Sequence, residues 1–149
     1  MKKFNFSLET LLKYRVNIEK MRKEEWALKR KLRMVEEDKL KSLTDDEKEK
    51  RAEIMKMTQG KTLDIYDYLY RVRYLNQLIH FITIQKKVVE EKKEEEIKAL
   101  EKWIESRKNK KALENYRKKL WKNYLMEMDK EEQKIVDDIF VNSRRVKSE

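Results

Sequence analysis

Apolar side chains recur every three or four residues along most of the chain, which is the spacing of one face of an α-helix. In the first third of the chain only Glu25 interrupts the series, and steps of three and four over more than three heptads predict a coiled-coil seam. Leu40 and Leu43 continue the pattern one residue out of step. The series comprises Leu11, Tyr14, Ile18, Met21, Leu28, Leu32 and Val35.

Few residues in this pattern are of the kinds that end a helix. Gly60, in the stretch MTQGKT, is the only glycine, and we expect it to adopt the positive φ that commonly ends a helix. Ser7 is a good N-cap for the first helix, and the TDDE stretch from Thr44 to Glu47 resembles a capping box, although we favour one uninterrupted helix through it. The predicted elements are helix 1 at about 7–58, a turn at about 58–62, helix 2 at about 62–142 and a disordered tail at 143–149.

Two long helices joined by a short turn predict an all-α fold, a long antiparallel two-helix coiled-coil hairpin forming a single domain. If residue 57 faces residue 65, the numbers of paired residues add to about 122, and helix 1 runs out opposite residue 115. The C-terminal end of helix 2 would then project. Its uncovered apolar stripe, a candidate binding site, comprises Leu120, Tyr124, Met128, Ile135 and Ile139.

Charge is unevenly distributed over this predicted hairpin. Charged residues make up 46% of the 149 residues, far above the roughly 25% of globular domains, so little material is left for a compact core. Residues 1–34 and 107–123 each carry a net charge of +7, whereas residues 124–141 carry −4. The basic end of the hairpin could meet nucleic acid, anionic lipid or an acidic protein.

Residues that support catalysis or metal binding are scarce. His80 is the only histidine, cysteine is absent, and one glycine cannot build a phosphate-binding loop, so we expect a surface histidine, no metal, no cofactor and no enzymatic activity. No segment approaches the roughly 18 consecutive apolar residues of a membrane span. We therefore expect a cytoplasmic protein.

Aromatic residues crowd the stretch that follows the turn. A two-helix seam cannot bury all five of them, so some are expected to be exposed as a docking face, the alternative being packing against the end of helix 1. They are Tyr66, Tyr68, Tyr70, Tyr74 and Phe81.

Three segments resemble the FliJ family of the bacterial flagellar type III export apparatus. The resemblance lies at the start of the chain, after the turn, and near the end. The first segment holds Phe4, Phe6, Leu8, Glu9, Leu11, Leu12, Arg15 and Glu19; the second Tyr74, Leu75, Leu78, Ile82 and Gln85; the third Lys110, Lys111, Leu113, Glu114, Glu132, Gln133, Lys134 and Asp137.

This resemblance implies a stalk-like coiled coil that binds and stimulates the hexameric export ATPase and contacts the membrane export gate and export chaperones. It implies peripheral association with the inner face of the cell membrane through these partners, and a protein that is monomeric alone. The implied gate-binding residues are Tyr74, Leu78, Phe81 and Gln85. The residues expected to bind the ATPase are Phe4, Phe6, Leu120, Tyr124, Met128, Ile135 and Ile139.

Two other functions remain open at this point. A basic coiled coil could bind nucleic acid, through Lys108, Lys110, Lys111 and Arg117, with an affinity that falls steeply with salt. A structural protein could instead self-associate through residues 120–140. We expect neither, because the resemblance covers nearly the whole chain.

Overall fold

The computed structural model describes residues 2–60 and 62–148. Helix α1 spans Glu9–Thr58 and helix α2 spans Ile65–Lys147, and the described residues contain no strand. The two helices run antiparallel with many contacts between them, which confirms the predicted all-α helical hairpin.

The helix boundaries differ from the predicted ones mainly at the C-terminus. Helix α2 continues to Lys147, so the prediction of disorder from residue 143 is wrong for residues 143–147, and residue 149 lies outside the described residues. Helix α1 passes through Thr44 without a break, as favoured from the sequence. The Thr44 hydroxyl donates a hydrogen bond to the carbonyl of Leu40 at 2.8 Å, which satisfies it inside a helix.

The turn depends on an aspartate rather than on glycine geometry. The Asp64 carboxylate accepts hydrogen bonds from the backbone N–H groups of Tyr66 at 3.1 Å and Asp67 at 3.4 Å, which is the N-cap arrangement. Gly60 does not have a positive φ, so that expectation was wrong. Residue 61, within the predicted turn, lies outside the described residues.

Replacing Gly60 by alanine is therefore expected to be tolerated. A Cβ at Gly60 would lie 3.5 Å from its nearest neighbour, the Met57 carbonyl oxygen, and the backbone there does not need glycine. Alanine restricts the unfolded chain, so the free energy of unfolding should rise by about 0.4–1 kcal/mol. Urea denaturation of both proteins would measure it, and a loss of stability would show that a positive φ is required there.

Contacts divide the chain into two compact units. The terminal unit comprises Met1–Lys20 and Glu105–Glu149, and the turn unit comprises Met21–Ile104. Each contains one segment of α1 and one segment of α2.

The pairing register lies near the predicted one, with sums of paired residue numbers that differ from it by two to eight. Paired residue numbers add to 120 for Tyr74 with Asp46 and to 130 for Lys93 with Glu37, against the predicted sum of about 122. In the terminal unit, Arg117 contacts Glu9 at 3.1 Å, which is a sum of 126.

The face that α1 turns toward α2 differs from the predicted seam by one residue. The predicted seam residues Tyr14, Met21 and Leu28 are 55–57% exposed, so that assignment was wrong. The half-buried positions lie one residue later, at three-four spacing. They include Leu12, Arg15, Glu19, Arg22, Trp26, Lys29, Arg33 and Glu36.

Continuity of the helix explains this register. Leu8 and Leu12 near one end and Leu40 and Leu43 near the middle are half-buried, and all four fall in the same heptad register. An uninterrupted coiled-coil helix keeps one contact face, so the residues between them must follow that register. One heptad before Leu40 lies Arg33, so this register places charged side chains at the contact with α2.

Candidate functional site

The N-terminal segment covers the first half of the stripe at the C-terminal end of α2. The Phe4 ring lies 5.0 Å from Trp121 and 5.5 Å from Tyr124, and the Phe6 ring, only 4% exposed, lies 6.0 Å from Tyr116. The Tyr124 hydroxyl donates to the carbonyl of Lys2 at 2.8 Å. This segment lies within the terminal unit.

The expectation that nothing in the chain covers the stripe was therefore wrong for its first three residues. Leu120, Tyr124 and Met128 are half-buried. The physical reason is reach: an extended segment advances about 3.3 Å per residue, against about 1.5 Å in a helix. The five residues Lys2–Phe6 lie outside the helix. Extended, five residues span the length of about eleven helical residues, which counting helix against helix had missed.

The second half of the stripe is exposed. Every described residue from 129 onward is exposed, and Ile135 and Ile139 are 57% and 63% exposed. Acidic side chains at Asp137 and Asp138 lie among them. We call this segment, Ile135–Val141, the C-terminal tip. Its exposed apolar residues are Ile135, Val136, Ile139, Phe140 and Val141.

The four implied gate-binding residues do not share one exposed face. Phe81 is 55% exposed and Tyr74 is 38% exposed, with its hydroxyl donating to Asp46 at 3.0 Å. Leu78, only 4% exposed, is buried in the turn unit. The Gln85 side-chain amide donates to the Glu36 carbonyl at 3.0 Å and to its carboxylate at 2.6 Å. Leu78 and Gln85 therefore face the contact between the helices, Phe81 faces outward, and Tyr74 is partly exposed beside α1.

Two further aromatic residues near the turn lie beside the accessible pair, Tyr74 and Phe81. Tyr66 and Tyr70 are 86% and 71% exposed, which confirms that part of this aromatic segment is exposed. With Tyr74 and Phe81 they fall within an arc of about 80° on α2, because successive helical residues turn by about 100°. We call these four residues the turn aromatic surface.

A further exposed surface is one that sequence reasoning assigned to the seam. We call it the α1 apolar stripe. The sequence already indicated this exposure. Leu40 and Leu43 lie in a different heptad register from the stripe, and one continuous helix can turn only one register toward its partner. Its exposed members are Met21, Leu28, Leu32 and Val35, all in the turn unit.

Ion pairs and hydrogen bonds take the place of apolar contacts at these seam positions. Arg33 contacts Glu96 on α2 and Glu37 on its own helix, and Lys29 contacts Glu95 at 3.4 Å. The hydrogen bond from Gln85 lowers the pKa of Glu36 below its ordinary value. The hydrogen bond from Lys29 likewise lowers the pKa of Glu95.

These pKa shifts predict that the turn unit loses stability in acid. A carboxyl group whose pKa is lower in the folded chain stabilises the fold above its ordinary value of 4.5, and the contribution is lost as pH falls through the folded pKa. The melting temperature should hold steady from pH 7 to about pH 5 and decline below about pH 4.5. Thermal melts across this range test it.

Gln85→Ala is the matched variant for the acid prediction. Without the Gln85 amide the pKa of Glu36 returns toward its ordinary value, so less stability is lost in acid. The variant should be less stable at neutral pH and show a shallower decline. An equally steep decline would show that Glu36 is not one of the responsible groups.

The described residues offer no group of acidic, histidine or cysteine side chains that could hold a metal ion. His80 is exposed, as expected for a surface histidine. Within the described part of the chain, neither helix has the length and apolarity needed to cross a membrane. The exposed surfaces described above consist mainly of apolar and aromatic side chains.

Comparison with known proteins gives one match. Residues 4–148 match the family model described as Flagellar FliJ protein. No curated protein and no solved structure matches the chain. The match spans both helices and the N-terminal segment that packs against α2.

Proposed function

The chain belongs to the FliJ family and has a role associated with flagellar protein export, and from this premise we propose that it binds and stimulates the hexameric export ATPase. In this proposal the C-terminal tip enters the ring of ATPase subunits. The protein acts by binding its partners and has no catalytic step of its own.

The exposed C-terminal tip is the observation that carries this proposal. Five apolar side chains between Ile135 and Val141 are 49–63% exposed on a helix whose neighbouring side chains are largely charged. Exposed apolar rows of this kind mark partner-binding surfaces. Within the ATPase-binding set from the sequence, we assign the partner contact to Ile135 and Ile139, because Phe6 is buried and Phe4 packs on Trp121.

A second part of the proposal concerns the export gate. Tyr74 and Phe81 are the accessible members of the implied gate-binding set, and Tyr66 and Tyr70 extend the same face of α2. Large exposed aromatic side chains are the residues that most often supply binding energy at an interface. We propose that the turn aromatic surface contacts the cytoplasmic domain of the gate, which would hold the protein at the inner face of the cell membrane.

The α1 apolar stripe supports the chaperone part of the proposal. A row of exposed apolar residues at three-four spacing is the surface on which an amphipathic helix of a partner packs. Export chaperones bearing such a helix would bind between Met21 and Val35, within the turn unit. The stripe and the tip lie on different helices, so the two partners would use different residues.

The test is ATP hydrolysis by the organism's own flagellar export ATPase, titrated with this protein. Stimulation that saturates near one chain per ATPase hexamer supports the proposal. Absence of stimulation, with a folded hairpin and a competent ATPase, contradicts it.

A further inference from the structure

The terminal unit carries a second exposed face that the export proposal does not use. Most of its members directly follow residues that contact the other helix: Lys13 follows Leu12, and Lys111 follows Lys110. Lys122 lies one residue further on, after Trp121. Each side chain in this set is exposed. We call it the basic face. It comprises Lys13, Val16 and Lys20 on α1 and Arg107, Lys111, Lys118, Trp121, Lys122 and Leu125 on α2.

Helix geometry puts these residues on one side of the unit. On α2 the set from Arg107 to Leu125 falls within an arc of about 100°, since each residue advances the helix by about 100°. Because α1 and α2 are antiparallel, the residue that follows a contact residue points to the same side of the pair on both helices. The face on α2 is about 27 Å long at about 1.5 Å per residue.

Acidic side chains do not neutralise this face. Two carboxylates fall within its arc, but Glu9 is paired with Arg117 at 3.1 Å and Glu114 is half-buried. The next acidic residues of α2, Glu127 and Asp129, come only after Leu125. Six cations therefore face solvent together on one side of the unit.

Apolar side chains stand among the cations. Val16, Trp121 and Leu125 are 40%, 44% and 43% exposed. The Trp121 ring is held from behind, with the Phe4 ring edge-on at 5.0 Å and the Tyr124 ring stacked at 5.5 Å. A fixed indole between lysines is the arrangement found at membrane–water interfaces, where the ring sits among lipid head groups.

We propose that the basic face binds the surface of a bilayer that contains anionic phospholipids, with both helices lying against the membrane. Lysines and Arg107 attract the lipid phosphates, and Trp121, Leu125 and Val16 enter the head-group region. Nucleic acid would also attract the cations, but it offers no apolar layer for the three apolar residues. The binding needs neither the ATPase nor the gate, so it stands independently of the proposed export function.

Co-sedimentation with lipid vesicles tests this proposal. The full-length protein should bind vesicles of equal parts phosphatidylglycerol and phosphatidylcholine, weakly bind phosphatidylcholine alone, and dissociate as salt is raised. Each lysine near an anionic surface contributes about fivefold in affinity, so K111E/K118E/K122E should weaken binding at least a hundredfold. Trp121→Phe should remove most of the quenching of protein fluorescence by brominated lipid.

The matched control is K48E/K86E/K87E, which makes the same change of net charge at exposed lysines of the turn unit. It should keep vesicle binding within a few fold, and circular dichroism should show both triple variants equally helical. If both triple variants lost the same affinity for vesicles, net charge alone would explain the binding, and the proposal would be overturned. Failure to bind anionic vesicles, or tighter binding to a DNA or RNA oligonucleotide than to vesicles, would also overturn it.

Discussion

Replacing both Ile135 and Ile139 by aspartate is expected to abolish stimulation of the export ATPase while leaving the melting temperature of the hairpin nearly unchanged. Both side chains are more than half exposed, so aspartate there loses little contact within the chain. At an interface, each buried apolar anchor contributes about 2 kcal/mol, and the added carboxylates must be desolvated. Loss of about 4 kcal/mol weakens binding about a thousandfold.

The matched control changes two isoleucine residues of similar exposure in the turn unit. Ile84→Asp with Ile97→Asp introduces the same charges at side chains that are 46% and 55% exposed. This variant should stimulate the ATPase as the parent does. A large drop in melting temperature in the Ile135 and Ile139 variant would show that the tip packs against the chain, and unchanged stimulation would show that the ATPase contact lies elsewhere.

The sequence predicts the elements of this fold well because the signals are strong and local. Sustained three-four spacing without proline specifies two helices, and one glycine marks the turn within a few residues of where α1 ends at Thr58. The approximate axial register follows from the turn position, since a short turn places residues equally far from it opposite each other. These inferences need no knowledge of side-chain packing.

The seam of α1 was predicted wrongly because hydrophobicity and contact diverge there. Leu28, Leu32 and Val35 form the more apolar row, yet Lys29, Arg33 and Glu36 make the contacts with α2. A single-chain pattern cannot show that α2 presents Glu95 and Glu96 opposite these positions. An apolar row left outside such a seam is accessible to a partner, so the wrong seam assignment identified a candidate binding surface.

The candidate site was predicted only in part, because the sequence pattern does not show which segments cover which side chains. The tip residues Ile135 and Ile139 are exposed, as expected, because they lie beyond any segment that reaches them. Tyr124 is covered by a segment outside the helices, whose extended conformation the heptad count ignored. Leu78 was misjudged because it shares a stripe with Phe81 in sequence but turns inward at the contact.

Replacing Leu78 by alanine is expected to destabilise the hairpin, whereas replacing Phe81 by alanine should weaken only its binding to the export gate. Leu78 is 4% exposed, and truncating a buried leucine costs about 2–5 kcal/mol in the free energy of unfolding. Phe81 is 55% exposed, so its loss should change stability by about 0.5 kcal/mol or less. Ile18, which the sequence assigned to the seam, is only half-buried. Leu78 is therefore the sharper test of the buried contact between the helices.

Urea denaturation and binding to the purified cytoplasmic domain of the gate separate the two effects. Phe81→Ala should unfold at the parent's midpoint and bind more weakly, by about 2 kcal/mol if Phe81 is an anchor of the interface. Leu78→Ala should unfold at a lower midpoint, and near-parent binding should persist where it remains folded. The reverse pattern, with Leu78→Ala stable but unable to bind and Phe81→Ala unstable, would mean that α2 is rotated from the orientation described and that Leu78 is the residue that meets the gate.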